Sequence, residues 1–250
     1  MAEGILSAFS SLENVTVAER VEARVAELAA KYGVKTVASP AAAVQGADIV
    51  FLAVRPQDVD GVSGELKPIL KSSQTLVSIV AGKRLSFLRE AFGDAVHLIR
   101  VMPNLALRCG EGMCAVCAGN GTPREAIELV LAILGSAGKT IELAEKDFDA
   151  VTALSGSGPA YFAYMCEAMT EAGEALGLSC DAAKLLARQT MFGTAKFICE
   201  NDVDLGAFIA GVATKGGTTA AGMVELEKDG VFKRTVAATL AAAARRSSEL

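Results

Sequence analysis

Up to about residue 145, short apolar runs alternate with stretches whose apolar residues recur at helical spacing. Asn14–Ala18 (NVTVA) reads as a strand. A helix follows over Glu22–Tyr32, where Val25, Leu28 and Ala29 share a face, and Gly33 stops it. Val34–Ala38 is the next strand and Ala41–Gln45 a short helix. Asp48–Val54 (DIVFLAV) is continuously apolar and β-branched, as in a parallel strand covered on both faces. Gln74–Val80 and Val96–Met102 are two further strands, separated by a helix near Leu85–Phe92. Strands alternating with helices imply right-handed crossovers and a doubly wound α/β sheet of the Rossmann type. Gly112–Ala118 and Thr140–Leu143 extend that sheet, with a helix over Glu125–Leu134 between them.

After Ala144 the strand signals stop. Phe148–Ala153, Ala160–Leu176, Asp181–Glu200 and Phe232–Arg246 all carry helical patterns rich in alanine and other small residues. Small residues let helices approach closely, which suits tight bundles or subunit interfaces. The chain thus divides into a Rossmann-like domain over 1–145 and an all-helical domain over 146–250.

Composition narrows the function classes. Of 250 residues, 52% are apolar and 21% charged, which supports a sizeable core. The net charge of −5 leaves no basic field for nucleic acid. No apolar run reaches the roughly 20 residues that span a bilayer. The opening MAEGILSAFSSLE has no basic segment and does not read as a signal peptide, so a cytoplasmic protein with reduced cysteines is expected. His97 is the only histidine, which excludes a Ser–His–Asp triad and a multi-histidine metal site. Cys109, Cys114 and Cys117 have the spacing of an iron–sulfur loop, but residues three apart on a strand face opposite ways, so no metal is expected.

A doubly wound sheet usually opens with a strand running into a G-x-G-x-x-G/A turn, whose amides hold the pyrophosphate. The present sequence starts with a helical pattern over Ala2–Phe9 and proceeds to what looks like the second strand. Met1 and Ala2 would then occupy the last two positions of that fingerprint. As written, the chain is expected to bind a dinucleotide weakly, and its sheet to have an unfilled central slot.

Four segments read as loops at the carboxyl ends of strands, where open α/β sheets bind ligands. Glu19 and Arg20 follow the first. An acid there accepts hydrogen bonds from the adenine ribose, whereas an arginine pairs with a 2′-phosphate, and the two side by side leave NADH against NADPH open. Ala53, Val54, Arg55 and Pro56 follow the third strand, with the proline holding Arg55 extended. Val80, Ala81 and Gly82 are small enough for backbone to approach a flat ring. Met102, Pro103 and Asn104 end with an amide suited to a carboxamide such as that of nicotinamide. In the helical half, Leu154–Ala160 (LSGSGPA) and Val212–Thr219 (VATKGGTT) each lead into a helix. Consecutive amides from Lys215 to Thr219, with hydroxyls at Thr214, Thr218 and Thr219, suit a carboxylate.

Taken together, AVRPQ, VAGK, RVMPN, ALSGSGPAY and VATKGGTT in this order resemble the pattern of the pyrroline-5-carboxylate reductases, and the resemblance spans Met1 to Leu250. It implies a Rossmann domain followed by a helical dimerisation domain in which helices of two subunits interlock, giving a homodimer or larger assembly. It implies that Ala53–Pro56, Val80–Gly82 and Met102–Asn104 face NADPH or NADH. Thr214, Gly216, Gly217 and Thr219, in a loop that also carries Lys215 and Thr218, would hold a cyclic imino acid and complete the active site. Thr219 is assigned to the ring nitrogen. Lys215 departs from the family, many members of which have proline there. Two other readings stand beside this one: a reductase of the same superfamily acting on another imine or hydroxy acid, and an oligomeric relic impaired in cofactor binding.

Overall fold

The computed structural model describes residues 1–9 and 11–250. Helix α1 (Ala2–Leu6) precedes β1 (Thr16–Ala18), α2 (Glu22–Tyr32), β2 (Lys35–Val37) and α3 (Pro40–Ala43). Then come β3 (Ile49–Leu52), α4 (Val59–Leu66), β4 (Thr75–Ser78), α5 (Leu85–Phe92), β5 (His97–Pro103) and β6 (Gly112–Ala118). Helix α6 (Arg124–Gly135), β7 (Gly138–Glu142) and α7 (Phe148–Val151) complete this part. The expected alternation is present, with α2 and α5 at the expected residues. Helix α4 is an addition to the sequence reading, although Val59, Val62, Ser63 and Leu66 have the spacing of one buried helical face.

The strands form two sheets. β1 and β2 pair in parallel, and a separate five-stranded sheet has the order β3-β4-β5-β6-β7. Among the described residues no strand joins the two. Strands β3, β4 and β5 are parallel, with Leu52 opposite Ser78 and Ser78 opposite Arg100, so their carboxyl ends share one edge. Strand β6 runs antiparallel to β5, and β7 is parallel to β6.

The larger sheet is covered on both faces. Leu76 and Leu98 pack with Val44, Val59, Leu66, Leu88 and Phe92 from the α3–α5 side. Their neighbours Val77, Ile99 and Val101 pack with Ile5, Ala8, Ile127, Val130 and Leu134 from the α1 and α6 side. Alternation of side chains along a strand produces this division, and burial on both sides explains the unbroken apolar runs. Cys114 faces the layer of α1 and α6 and Cys117 the opposite face, against Phe148, as their spacing on a strand requires. Burial pushes the Cys114 thiol up to about 11.

The remaining helices are α8 (Gly158–Ala175), α9 (Cys180–Asn201), α10 (Leu205–Val212), α11 (Thr218–Glu227) and α12 (Val231–Ser248). Helix α10 also went unread in the sequence. By packing, the chain forms two units: Met1–Ser157 with Ala243–Leu250, and Gly158–Ala242. The first unit runs past residue 145 because Phe148 is buried in its core beside Ala115 and Cys117. In the second, α8 and α9 pack as a hairpin, with a Cβ at Gly173 meeting that of Ala183 at 3.3 Å. Few of its side chains are buried, among them Cys166, Thr170, Ala183 and Ala187. Phe162, Tyr164, Leu176, Leu185 and Phe192 are each at least 60% exposed. An apolar surface of that extent is a surface for association.

Candidate active site

The first unit gathers the strand-end segments. After β1, Glu19 accepts the Val21 amide on Oε1 at 3.0 Å, a local contact just before α2 that leaves its other oxygen for a ligand. Arg20 is exposed and pairs with Glu65 of α4. After β3, Ala53 and Val54 are half-buried, and Arg55 is extended (φ −70°, ψ 152°) before Pro56, as a residue preceding proline should be. The Arg55 guanidinium binds Asp58 at 3.1 Å. After β4, the Val80 side chain is in the core, so that residue can offer only backbone, while Ala81 is exposed. Gly82 has φ +77°, and a Cβ there would meet Leu250 Cβ at 2.4 Å, so glycine is required both by conformation and by space.

The segment after β5 differs from the sequence expectation. Pro103 is not a loop residue but the last of β5, paired with Cys114. Met102 is half-buried beside it. Asn104 was expected to offer its amide to a carboxamide. Its Oδ1 instead accepts from Ala106 N at 3.2 Å and Met113 N at 3.1 Å, and Nδ2 reaches Ser155 Oγ at 3.4 Å. The side-chain oxygen therefore caps the following turn. The glycine-rich segment before α8 lies against this corner. Thr152–Gly156 is π-helical, closed by Ser157 N to Thr152 O at 2.9 Å, and a Cβ on Gly156 would meet Met102 Cε at 2.4 Å. Wide turns of this kind recur at functional sites.

A buried ion pair, missed in the sequence, braces two of these segments. Arg100 of β5 is 5% exposed, its Nη1 bonds Glu145 Oε1 at 3.0 Å, and its guanidinium lies over the Phe148 ring at 4.8 Å. The same Glu145 oxygen accepts the Leu85 amide at 2.6 Å, at the start of α5 and just past Gly82. One carboxylate thus fixes both the residues before Met102 and those after Gly82. Sequence spacing offers no sign of a partner 45 positions away. The signal was Arg100 itself, a charge in an otherwise apolar strand.

In the second unit, Thr214–Gly217 is a turn closed by Gly217 N to Thr214 O at 2.9 Å. Gly216 has φ +77°, the conformation of the third position in a type II turn. Such turns favour proline at the second position, which is where Lys215 stands, and Lys215 fills it exposed. Gly217 is the N-cap of α11, and its own amide is therefore spent. Among the described residues, the amides of Lys215, Gly216, Thr218 and Thr219 have no protein acceptor. Thr214, Thr218 and Thr219 are exposed around them. A left-handed residue leading into a helix N-terminus with unpaired amides is a concave donor set for an anion.

Comparison with known proteins fits this arrangement. Residues 145–250 match the family model for pyrroline-5-carboxylate reductase dimerisation, and residues 1–82 that for NADP oxidoreductase, coenzyme F420-dependent. The pyrroline-5-carboxylate reductase of Corynebacterium melassecola is 36% identical over 234 residues, 92% of this chain and 87% of that protein. The chain belongs to the pyrroline-5-carboxylate reductase family. The Arabidopsis thaliana reductase is 40% identical over 219 residues, covering 88% of this chain and 79% of that one. Among solved structures, the reductase from Coxiella burnetii superposes with a TM-score of 0.93 at 29% identity, over 99% of this chain and 94% of that one. The Plasmodium falciparum enzyme, solved with NADP bound, gives 0.86 at 31% identity over 99% and 92%. The fold is thus the Rossmann-type sheet with a helical dimerisation domain that the family shares. Among the described residues no helix is long and apolar enough to cross a membrane.

Proposed function

We propose that this protein reduces 1-pyrroline-5-carboxylate to L-proline with NAD(P)H. The observation that carries the reading is the presence of two donor sets in one chain of this family. Strand-end loops in the first unit suit a dinucleotide, and an unpaired amide nest flanked by threonines suits a small carboxylate.

The residues present fit the cofactor: a carboxylate at the end of β1, a proline-set turn after β3 and small residues after β4. Glu19 and Arg20 would hold the adenosine end. Ala53–Pro56 and Val80–Gly82 would line the dinucleotide, with Met102 and the backbone of Pro103 and Asn104 toward the ring. Bound there, a reduced nicotinamide would supply the hydride that the imine carbon accepts. The protein's share is placement. Amides of Lys215, Gly216 and Thr218 receive the substrate carboxylate, and the Lys215 ammonium adds a positive field. The Thr219 hydroxyl orients the ring nitrogen and holds a proton there. A protonated imine is already electrophilic, so positioning supplies most of the acceleration. The absence of a second histidine is no obstacle to such chemistry.

The exposed apolar helices support a homodimer or larger ring, and the acidic chain with unpaired cysteines supports a cytoplasmic location. The test is turnover of 1-pyrroline-5-carboxylate followed by nicotinamide absorbance, alongside a panel of hydroxy acids and other imines. A better substrate outside the cyclic imino acids would overturn the assignment.

A further inference from the structure

We propose that this reductase prefers NADH to NADPH, because Glu65 holds Arg20 and leaves net negative charge where a 2′-phosphate would lie. The inference rests on the assignment of Glu19 and Arg20 to the adenosine end of the cofactor. At the carboxyl end of the second strand of a dinucleotide fold, an acid selects a ribose diol and an arginine selects the phosphate. The sequence places both there, side by side, and decides nothing.

The fold decides between them through a third residue. Arg20 reaches across to Glu65, four residues after Gly61 on α4, and its guanidinium is engaged with that carboxylate. Glu19 keeps one carboxylate oxygen uncommitted, since only Oε1 accepts the Val21 amide. The corner therefore presents two carboxylates and one guanidinium, a net charge of one negative. A ribose 2′- and 3′-hydroxyl pair donates to Glu19 without disturbing anything. A 2′-phosphate, with close to two negative charges, meets both carboxylates and must also take Arg20 from Glu65. One charge interaction of this kind at a solvent-exposed site is worth up to about five-fold in affinity, and two carboxylates face the phosphate.

The experiment is equilibrium titration of the full chain with NADH and with NADPH, read by the change in nicotinamide fluorescence, for the parent, Glu65→Gln and Glu19→Gln. The parent should bind NADH about ten-fold more tightly than NADPH. Glu65→Gln should tighten NADPH by about five-fold while moving NADH less than two-fold, because the diol never contacted Glu65. Glu19→Gln should weaken NADH selectively. Circular dichroism verifies that each variant is folded. Equal or tighter NADPH binding by the parent, or an unmoved NADPH affinity in Glu65→Gln, overturns the preference while leaving the cofactor site in place. Unchanged affinity for both cofactors in Glu19→Gln overturns the placement of the adenosine end itself, and failure of both cofactors to bind removes the site and the preference together.

Discussion

Glu145→Ala removes one partner of the most buried charge pair among the described residues. The Arg100 side chain is 6% exposed and that of Glu145 29%. At 3.0 Å the gross attraction is about 5 kcal/mol with an effective dielectric constant near 20. Most of this offsets the desolvation of the guanidinium, so the pair's net contribution is small while the cost of breaking it is large. Loss of one partner from a buried pair typically costs about 3–5 kcal/mol, and partial exposure of Glu145 places the expectation at about 3 kcal/mol. The same substitution leaves the Leu85 amide without its acceptor at 2.6 Å. Glu145→Gln retains an oxygen for both donors and should cost about half as much. Replacing both residues by methionine removes the stranded charge, so Arg100→Met/Glu145→Met should cost less than the two single changes combined by about 1.5 kcal/mol. Urea unfolding at one fixed protomer concentration measures the parent, the Glu145→Ala and Glu145→Gln variants, the two single methionine variants and the double one, with a constant slope reporting an unchanged native fold. A Glu145→Ala protein within about 0.5 kcal/mol of the parent, or an additive double variant, would refute the bracing role.

Thr219→Ala should lower turnover of the imine about ten-fold, the worth of one hydrogen bond to the ring nitrogen, with thermal stability unchanged; equal kinetics would remove the residue from the mechanism. Glu3 bonds Lys31, Arg24 and Tyr32, and these donors hold its carboxyl down at about 2 against an ordinary 4.5. Its contribution is complete above pH 4.5 and is lost as the pH falls through 2, so Glu3→Gln should cost about 1 kcal/mol at pH 7 and nothing near pH 2, by denaturation at each pH. Leu185→Glu puts a charge on the apolar face of α9 and should shift the protein toward monomer in sedimentation velocity; an unmoved assembly would place the interface elsewhere.

The fold was legible where local patterning and burial agree. The parallel strands β3, β4 and β5 are apolar on both sides, and helices α2 and α5 have a single apolar face bounded by Gly33 and Gly93. Helix α4 escaped notice because Gly61 and Gly64 interrupt a face that only four residues carry, and tertiary burial of those four outweighs their propensity. At the candidate site, the turn at Thr214–Gly217 was legible because Gly216 needs a left-handed conformation. The role of Asn104 was not, since one of the two amides that donate to its Oδ1, Met113 N, comes from a strand nine residues on and is set by the β5–β6 pairing. The Glu65 partner of Arg20 and the Glu145 partner of Arg100 lie 45 positions away in each case, beyond any periodicity argument.

Perturbed acidities often mark active sites, because general acids and bases must be tuned to their task. In this protein they mark something else. The moved groups are Glu3 with Arg24 and Lys31, which tie α1 to α2; Arg124 among surface acids; Lys184 beside Cys180; and two core thiols, Cys114 and Cys117. Each belongs to a helix tie, the surface or the core. A reaction run by a general base near neutrality needs such a tuned group at its centre. Hydride addition to a protonated imine makes no such demand, since the substrate arrives with its own positive charge and the acceptor carbon already activated. What the chemistry requires is two flat rings held in contact, and in the proposed site main-chain amides fixed by glycine, proline and threonine turns would serve without a tuned side chain. The site's signature in the sequence is therefore a set of turn residues in a fixed order rather than a set of catalytic ones.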